Sequence, residues 1–496
     1  MRSSADLPQL AGEVDGVQLG DKRLNARLIK LLDDVARRPA LSFPSIYEDA
    51  EESLEGAYRF FNNPRVRYDE IVRGHARATL HRAREERTVV AAHDTTEISY
   101  GPDTLREDLG PLHAGGKGFF GHFTLLMTAD LTHRPLGIAA SSLWVRAPIP
   151  EELKGKENRK KRRLQKRPED LESQRWGKQI LEIEALAGED LEIIHVCDRE
   201  ADDYAFFATL VEKHARFVVR ARCDRNVAGD PPLKLREKLT QLPFQIQMPV
   251  PISQRKHRRD SPLHAKQVHP DRKARTAMLN VYAGKVDLVR PDRASSGPPT
   301  LPLNVVWIHE LDCSQDPIDW VLYTTDPIDT HEQVLAVINY YRARWRIEEF
   351  FKALKTGCSI EKRQLESYKA LTIALAISLP IAYRLLLLRS IARDEPDAPA
   401  TAVLSPLQIE VLNASLREKN RLGSNPTARQ ALLAVAALGG FQKHNREPGW
   451  QTIGRGYEKL IERVVAYRDG WNAARRAPAP SVSSAPVEGP KRSVES

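Results

Sequence analysis

The segment YYRARWRIEEFFKALK, residues 340–355, sets two adjacent carboxylates, Glu348 and Glu349, among arginines, lysines and aromatic rings. A helix turns about 100° per residue, so one narrow face carries Glu348 with four further polar side chains, and Glu349 points away from that face. The four companions of Glu348 are Tyr341, Arg344, Lys352 and Lys355.

A surface ladder of ion pairs produces the same spacing. Arg344 and Lys352 each stand four residues from Glu348, and such pairs are worth about 0.2–0.5 kcal/mol each on a helix. The helix by itself therefore leaves a structural and a functional interpretation open.

Two further carboxylates favour the functional interpretation. Asp94 follows the apolar residues 89–92 in RTVVAAHDTTEISYG, and Asp198 follows an apolar run in LEIIHVCDREAD. Strand ends are where α/β sheets place binding and catalytic groups. Three carboxylates that converge from two strands and a helix would bind a divalent metal, and Mg²⁺ or Mn²⁺ suits such oxygen ligands better than zinc. His93 precedes Asp94, and we expect it to be structural rather than a metal ligand.

Hydrophobic patterns indicate the elements that carry these residues. The order is a strand ending in Asp94, a hairpin with LTHRP as its turn, a helix over about 171–187, the strand ending in Asp198, another helix and another strand. Alternating strands and helices predict an α/β sheet that is partly parallel. The glutamate segment is predicted to lie in one continuous helix over about 330–356.

The flanking regions differ in pattern from this centre. DKRLNARLIKLLDDVARRP repeats apolar residues with a helical period, and the first 70 or so residues are predicted to be helical. Residues from about 224 to 325 form short alternating strands around a basic loop, which predicts a β-rich insertion. A helical region runs to about 474, and a tail rich in Pro, Ser and Ala over 475–496 is predicted to be disordered.

Composition limits the class of partner and the compartment. The 496 residues carry a net charge of +9, which favours nucleic acid first and an acidic membrane second, although a merely basic protein has the same total. The four cysteines include no close pair, which fits a reducing cytoplasm, and the N-terminus lacks a signal-peptide core. The apolar stretch ALTIALAISLPIAYRLLLL is interrupted by Pro380 and Arg384, so we expect a buried helix.

Three motifs in order resemble the insertion-sequence-four family of DDE transposases. YRARWRIEEFFKALK resembles the family signature of Tyr, two residues, Arg, three residues, Glu, six residues and Lys. HDTTEISYG and CDREAD resemble its two aspartate motifs, and LGDKRLNARL, EGAYRFFNNP and LGGFQKHNREPGW extend the similarity over most of the chain.

The resemblance implies a fold and a division into domains. The fold would be an α/β, RNase H-like mixed-sheet catalytic core with a β-rich insertion, flanked by helical N- and C-terminal domains. The domains would be an end-binding domain over 1–70, a catalytic domain over 71–390 with its insertion at about 224–325, a dimerisation domain over 391–474, and the tail.

The resemblance also assigns roles to residues. The catalytic and metal-binding triad would be Asp94, Asp198 and Glu348. Six side chains would contact DNA, with Trp320 occupying the space of a flipped base: Arg220, Trp320, Tyr341, Arg344, Lys352 and Lys355.

The implied reaction is cut-and-paste transposition. A dimer would bind the inverted repeats at the transposon ends, cleave them by two-metal phosphoryl transfer through a hairpin intermediate, and join the ends to target DNA. Two Mg²⁺ ions would activate the attacking oxygen and stabilise the leaving oxygen, with Mn²⁺ as a substitute. Basic side chains would offset the repulsion between DNA and the acidic residues.

Two alternatives stay open. An RNase H-like metal nuclease or resolvase would cut without joining, and a transposase-derived inhibitor would bind DNA without catalysis, although all three carboxylates are present. The expected partners are double-stranded DNA and a second copy of the chain, with no membrane, in the cytoplasm at the bacterial nucleoid. The basic segment 154–167 is either a DNA grip or a solvated loop.

Overall fold

The computed structural model describes residues 10–113, 115–153, 155, 157–158, 172–252, 254, 272–292, 294, 296–311, 317–418, 421–442 and 447–476. Most of the basic segment 154–167, the loop between residues 254 and 272, Cys313 and the predicted tail from residue 477 lie outside the described residues.

Helices precede, flank and follow a single sheet. Before the sheet lie α1 (Lys22–Arg37), α2 (Phe43–Ile46), α3 (Glu51–Asn62) and α4 (Tyr68–Glu86). Within the sheet region lie α5 (Glu172–Ala187), α6 (Tyr204–Glu212), α7 (Leu235–Leu239), α8 (His331–Ala343) and α9 (Trp345–Lys352). After the sheet lie α10 (Tyr368–Asp394), α11 (Pro406–Ala414), α12 (Ala428–Leu438) and α13 (Trp450–Arg476).

Among the described residues, twelve strands form one sheet. The first six are β1 (Thr88–Ser99), β2 (Gly110–Pro111), β3 (Lys117–Thr128), β4 (Pro135–Trp144), β5 (Glu192–Cys197) and β6 (Arg216–Arg220). The others are β7 (Asn226–Val227), β8 (Leu233–Lys234), β9 (Phe244–Ile252), β10 (Arg275–Val289), β11 (Thr300–Glu310) and β12 (Asp319–Thr324).

The strand order confirms the predicted mixed sheet. It runs β2-β3-β1-β5-β6-β12-β11-β10-β7-β8, with β4 beside β3 and β9 beside β10. The pairs β1–β5 and β5–β6 are parallel, whereas β1–β3, β3–β4 and β12–β6 are antiparallel. This arrangement, with helices on its two faces, is that of an RNase H-like core. The strands of the predicted insertion continue the same sheet, because β12 pairs directly with β6.

The N-terminal helix α1 forms where its apolar period predicts. Asp21 begins it by accepting a hydrogen bond from the backbone of Arg23, and it ends at Arg37, just before Pro39. The stripe of Leu28, Leu31, Leu32 and Val35 is fully buried. Burial of this stripe fixes α1 against the rest of the molecule and leaves its basic side chains outside.

Strand β1 is longer than predicted. The sequence indicated a strand over residues 89–92 that ends before Asp94, but β1 continues to Ser99 because β3 pairs with it along its whole length. The two faces of β1 differ. Asp94 faces the side covered by α9, since its cross-strand partner Phe123 packs on Phe351 there, whereas His93 faces the side covered by α5.

The predicted continuous helix over 330–356 is interrupted twice. Arg344 separates α8 from α9, and a π-helical turn over Ala353–Gly357 follows α9, with the amide of Cys358 bonded to the carbonyl of Ala353 at 2.9 Å. A π turn adds a residue to the helical ring and rotates the residues that follow. Lys355 therefore lies in this π turn and not in a regular α-helix.

The long apolar helix α10 forms the centre of the core. By length and composition it could cross a membrane, but 94% of its most apolar part is buried inside the molecule. It packs against α1, α3, α4 and β4. The prediction of a buried helix is therefore confirmed. The C-terminal end of α10 packs with α11, α12 and α13 in a separate apolar cluster.

Candidate active site

Arg344 links two of the predicted carboxylates. Its guanidinium donates from Nη1 to Asp94 Oδ2 at 3.3 Å and from Nη2 to Glu348 Oε1 at 2.6 Å. Arg344 is buried at the junction of α8 and α9, and its side chain reaches Asp94 on β1. Residues that are 250 positions apart in the chain thus meet in one charged cluster.

Asp198 approaches the same cluster from the end of β5. Its Oδ1 accepts a hydrogen bond from the amide of Glu200 at 2.7 Å and caps the short 3-10 helix Arg199–Ala201. Asp198, Arg344 and Glu348 line one cavity of about 940 Å³. The structure therefore brings the three predicted carboxylates together, two through Arg344 and the third across the cavity.

The cavity has an acidic wall and an apolar wall. The apolar wall comes from the outer strands of the sheet and consists of Met248, Val250, Ile252, Leu279, Ile308 and Ile318. Strands β9 to β12 thus form the side of the cavity that faces the carboxylates.

The electrostatics of Asp94 show an excess of negative charge in the cluster. Burial raises the pKa of Asp94 to about 7, and the charges of Asp198 and Glu348 contribute to this rise. Arg344 and the amide of Thr95, which donates to Oδ1 at 2.8 Å, oppose it. One arginine thus does not balance three carboxylates, and additional positive charge would stabilise their ionised forms.

Three of the predicted DNA contacts cluster beside the carboxylates. The rings of Trp320 and Tyr341 meet edge to face with centroids 5.4 Å apart, and the Arg220 guanidinium lies 5.9 Å from the Trp320 ring. Burial raises the pKa of the Tyr341 phenol, while Arg220 and Arg344 lower it. All three side chains line the cavity of Asp198 and Glu348.

The two predicted lysines lie elsewhere. Lys352 is exposed and does not line the cavity. Lys355 sits in the π turn, where its Nζ donates to the carbonyl of Glu97 and lies 3.4 Å from Glu361. Lys352 thus lies one helical turn after Glu348 on α9, whereas Lys355 lies in the π turn and is held by Glu97 and Glu361. Contact of the two lysines with DNA stays a prediction.

Glu349 belongs to a different cluster. Arg393 holds it with two hydrogen bonds of 2.7 and 3.1 Å, and Arg346 adds a third of 3.2 Å. Burial raises its pKa, which the neighbouring arginines oppose. Glu349 lines a second cavity of about 400 Å³, so the two adjacent glutamates line different cavities.

Trp345 was not singled out from the sequence. Its side chain is 59% exposed, it lines both cavities, and its ring lies 5.5 Å from the Arg344 guanidinium. The sequence did contain a signal, because Trp345 lies about 40° from Tyr341 on the helical wheel and so falls outside the apolar stripe. An exposed tryptophan beside a charged cavity is a candidate for contact with a ligand.

His93 is part of the structure, as expected. It is fully buried, and burial together with His195 and His122 lowers its pKa well below its usual range. Its partners are His195 and Thr124, on the side of β1 opposite Asp94. The imidazole is therefore directed away from the carboxylate cluster.

The carboxylate cluster fits a divalent cation by its donors and its charge. Carboxylate oxygens are the ligands that Mg²⁺ prefers, and the pKa of Asp94 is raised chiefly by burial, with a smaller contribution from the charges of Asp198 and Glu348. In the described part of the chain, no three His, Cys, Asp or Glu side chains are already spaced as a metal site. Arg344 lies between Asp94 and Glu348 and pairs with both carboxylates.

Comparison with known protein families identifies the class. Residues 9–66 match the family model described as transposase DNA-binding, and residues 168–384 match the one described as transposase DDE domain. The chain therefore carries a region that matches a transposase DNA-binding domain and a region that matches a transposase DDE domain. Asp198 and Glu348 lie inside the second match, whereas Asp94 precedes it and joins them through the pairing of β1 with β5.

Proposed function

We propose that the chain is a DDE transposase of the insertion-sequence-four family, similar to the transposon-five transposase, and that it performs cut-and-paste transposition. The observation that carries the proposal is the convergence of Asp94, Asp198 and Glu348 around Arg344 and one cavity. Carboxylates from two adjacent parallel strands and a later helix suit phosphoryl transfer, because they hold divalent cations against DNA phosphate.

The three carboxylates act as the catalytic and metal-binding residues. Asp94, Asp198 and Glu348 hold two Mg²⁺ ions, with Mn²⁺ as a substitute, and Lewis-acid activation of the attacking oxygen is the chemistry that the ions supply when bound. Arg344 releases Asp94 and Glu348 in that state and offers its guanidinium to a DNA phosphate.

Aromatic and basic side chains around the cavity position the DNA end. Trp320 stacks in the space left by an extruded base, which lowers the cost of bending the strand into a hairpin. Tyr341 and Arg220 lie against Trp320 and contact phosphates next to that base. Lys352 reaches phosphates from the exposed end of α9, and Lys355 does so after leaving Glu361.

The remaining steps involve two chains and two DNA molecules. The helical domain over residues 1–70 recognises the inverted repeats, and the region 391–474 pairs two chains in the complex that holds both ends. The catalytic domain over 71–390 cleaves each end, opens the hairpin with water and joins the end to target DNA. The site of action is the cytoplasm, at the nucleoid.

The test uses labelled duplexes copied from the DNA that flanks the gene. Wild-type protein with Mg²⁺ should cleave the duplex and join it to a plasmid, whereas Asp94→Ala, Asp198→Ala and Glu348→Ala should bind it without cleavage. Cleavage by any of the three variants at the wild-type rate would contradict the assignment. Cleavage without joining would favour a nuclease or resolvase, and binding without cleavage by the wild type would favour an inhibitor.

A further inference from the structure

The backbone pairing of β1 with β5 stops before it reaches the carboxylates. The last paired residues of these parallel strands are Ala92 and Val196, and Asp94 and Asp198 each come two residues later. The ladder of backbone hydrogen bonds therefore does not by itself fix the separation of the two aspartates.

A side-chain bond crosses between the strands at the level where the ladder ends. His93 Nε2 lies 2.9 Å from Nδ1 of His195, and both rings are fully buried. His93 is the residue next to Asp94, and His195 lies three positions before Asp198. The link between the two imidazoles thus joins the strands immediately below the carboxylate cluster.

The two histidines belong to a longer chain of hydrogen bonds. Nδ1 of His93 is 2.9 Å from the Thr124 hydroxyl on β3, which accepts from the Gln179 amide at 2.7 Å. At the other end, Nε2 of His195 is 2.8 Å from Glu184 Oε1. Gln179 and Glu184 both lie on α5, so this polar chain starts and ends on one helix and crosses β3, β1 and β5 between.

The hydrogen bonds of the polar chain can all be donated in the same direction along it, from Gln179 and toward Glu184. A carboxylate only accepts, so His195 donates from Nε2 to Glu184, and in the arrangement with both rings uncharged it accepts at Nδ1 from His93. The neutral His93 ring then accepts at Nδ1 from the Thr124 hydroxyl, which accepts from Gln179. Each of these groups is satisfied, and chains of this kind strengthen cooperatively.

We propose that the polar chain Gln179–Thr124–His93–His195–Glu184 is a positioning device that sets the separation of Asp94 and Asp198. The inference rests on the proposed function, because it concerns the residues assigned there as metal ligands. His93 and His195 are positioning residues, since their side chains lie on the face of the sheet away from the cavity and act through the strands that carry the aspartates.

If His93 and His195 only stabilised the fold, loss of another buried histidine outside the polar chain would have the same effects. His75 on α4 is 1% exposed, and its Nδ1 lies 2.7 Å from Glu13 while its Nε2 accepts from the amide of Ile138 at 3.1 Å. Removing this imidazole breaks a comparable buried network away from the carboxylates. His75→Leu is therefore the control for loss of stability alone.

The experiment compares His93→Leu, which cannot hydrogen-bond, with His93→Gln, whose amide can donate to His195 and accept from Thr124. Three quantities are measured on the full chain: Mn²⁺ affinity without DNA by electron paramagnetic resonance, single-turnover cleavage of the flanking-DNA duplex at saturation, and the thermal unfolding midpoint. Loss of an outer-shell partner of a metal ligand costs about 10-fold to 100-fold in affinity or activity. His93→Leu should show a loss of this size in both, and His93→Gln should recover most of it.

The control variant at His75 and a variant at Glu184 distinguish a positioning role from a purely stabilising one. His75→Leu should lower the unfolding midpoint but keep the wild-type Mn²⁺ affinity and cleavage rate per folded molecule. Wild-type values for His93→Leu, or equal losses in His75→Leu, would overturn the proposal. If His93→Leu does not fold, Glu184→Leu replaces it, because Glu184 is the partly exposed end of the polar chain. Glu184→Leu should show the same losses of Mn²⁺ affinity and cleavage, and Glu184→Gln is its conservative partner.

Failure of this inference is distinguishable from failure of the proposed function. If Asp94→Ala is inactive while His93→Leu is fully active, only the positioning role is contradicted. If Asp94→Ala keeps the wild-type Mn²⁺ affinity and cleavage rate, the proposed function is contradicted, and the inference loses its premise.

Discussion

Glu348 and Glu349 are adjacent in the chain, yet they line two different cavities beside α9. Glu348 lies 2.6 Å from Arg344 in the carboxylate cluster, whereas Glu349 is held by Arg346 and Arg393. The helix therefore separates a residue that can act on DNA from one that ties α9 to α10. Substitutions that remove one negative charge at each position should have different consequences.

Glu348→Gln should reduce Mg²⁺-dependent end cleavage by more than about a hundredfold, because loss of an outer-shell partner alone costs up to about that much. Glu349→Gln should retain most activity. It should lower the free energy of unfolding by about 1–3 kcal/mol, because it weakens hydrogen bonds to charged partners. Single-turnover cleavage and urea denaturation measure the two effects. Equal loss of cleavage in both variants would contradict the separation of roles.

Trp345→Ala should weaken binding of end DNA without destabilising the chain. The ring is 59% exposed and has little packing to lose, so the change in unfolding free energy should stay within about 0.5 kcal/mol. A stacked base contributes about 1–3 kcal/mol to binding, which fluorescence anisotropy would detect. Trp320→Ala provides the comparison, because it also removes packing against Tyr341 and should lower the unfolding midpoint. Unchanged DNA affinity in Trp345→Ala would exclude a contact at that ring.

The mixed sheet and the meeting of the three carboxylates could both be predicted from the sequence. The signal was that each aspartate comes after an apolar run that predicts a strand. Asp198 does follow β5 directly, and the helical period placed Glu349 away from the face that carries Glu348. The extension of β1 past Asp94 was missed because residues 95–97 are polar. They are nevertheless part of the sheet, since the hydroxyl of Thr95 bonds His122 and Glu97 accepts from the amide of His113.

The irregular backbone around the glutamate was not predictable from apolar periodicity. A break at Arg344 and a π turn at Ala353–Gly357 leave the pattern of apolar residues close to that of a continuous helix. Their positions depend on tertiary contacts, such as the bond from Arg344 to Asp94 and the attachment of Lys355 to Glu97. The buried histidine pair escaped prediction for the same reason, because His93 and His195 are 102 residues apart.

Stability should depend on pH through Glu13, which is fully buried. Burial raises its pKa, but hydrogen bonds and charges from His75 and Arg82 outweigh this and lower the pKa from 4.5 to about 2. Because the folded chain binds this proton more weakly than the unfolded chain, the stabilisation is complete above about pH 4.5 and is lost as the pH falls toward 2.

Glu13→Gln should therefore lower the free energy of unfolding near neutral pH by about 3 kcal/mol and flatten its decline in acid. Urea denaturation over a pH series measures both effects. The exposed Glu85→Gln on α4 is the control and should change stability by no more than about 0.5 kcal/mol. A decline in acid as steep in Glu13→Gln as in the wild type would assign the pH dependence to other groups.

The salt dependence of DNA binding should identify the arginines of the DNA-binding domain that contact phosphate. Arg23 and Arg65 are exposed and line a cleft of about 320 Å³ together with Arg27 and Arg59. Each phosphate contact contributes about 0.9 to the slope of log affinity against log salt concentration. Arg23→Ala and Arg65→Ala should each reduce that slope by about this amount, as measured by anisotropy with the flanking-DNA duplex. Lys213→Ala, at the end of α6 and equally exposed, should leave the slope unchanged. If all three variants keep the wild-type slope, the cleft does not contact the DNA backbone, and another basic surface carries the electrostatic part of the affinity.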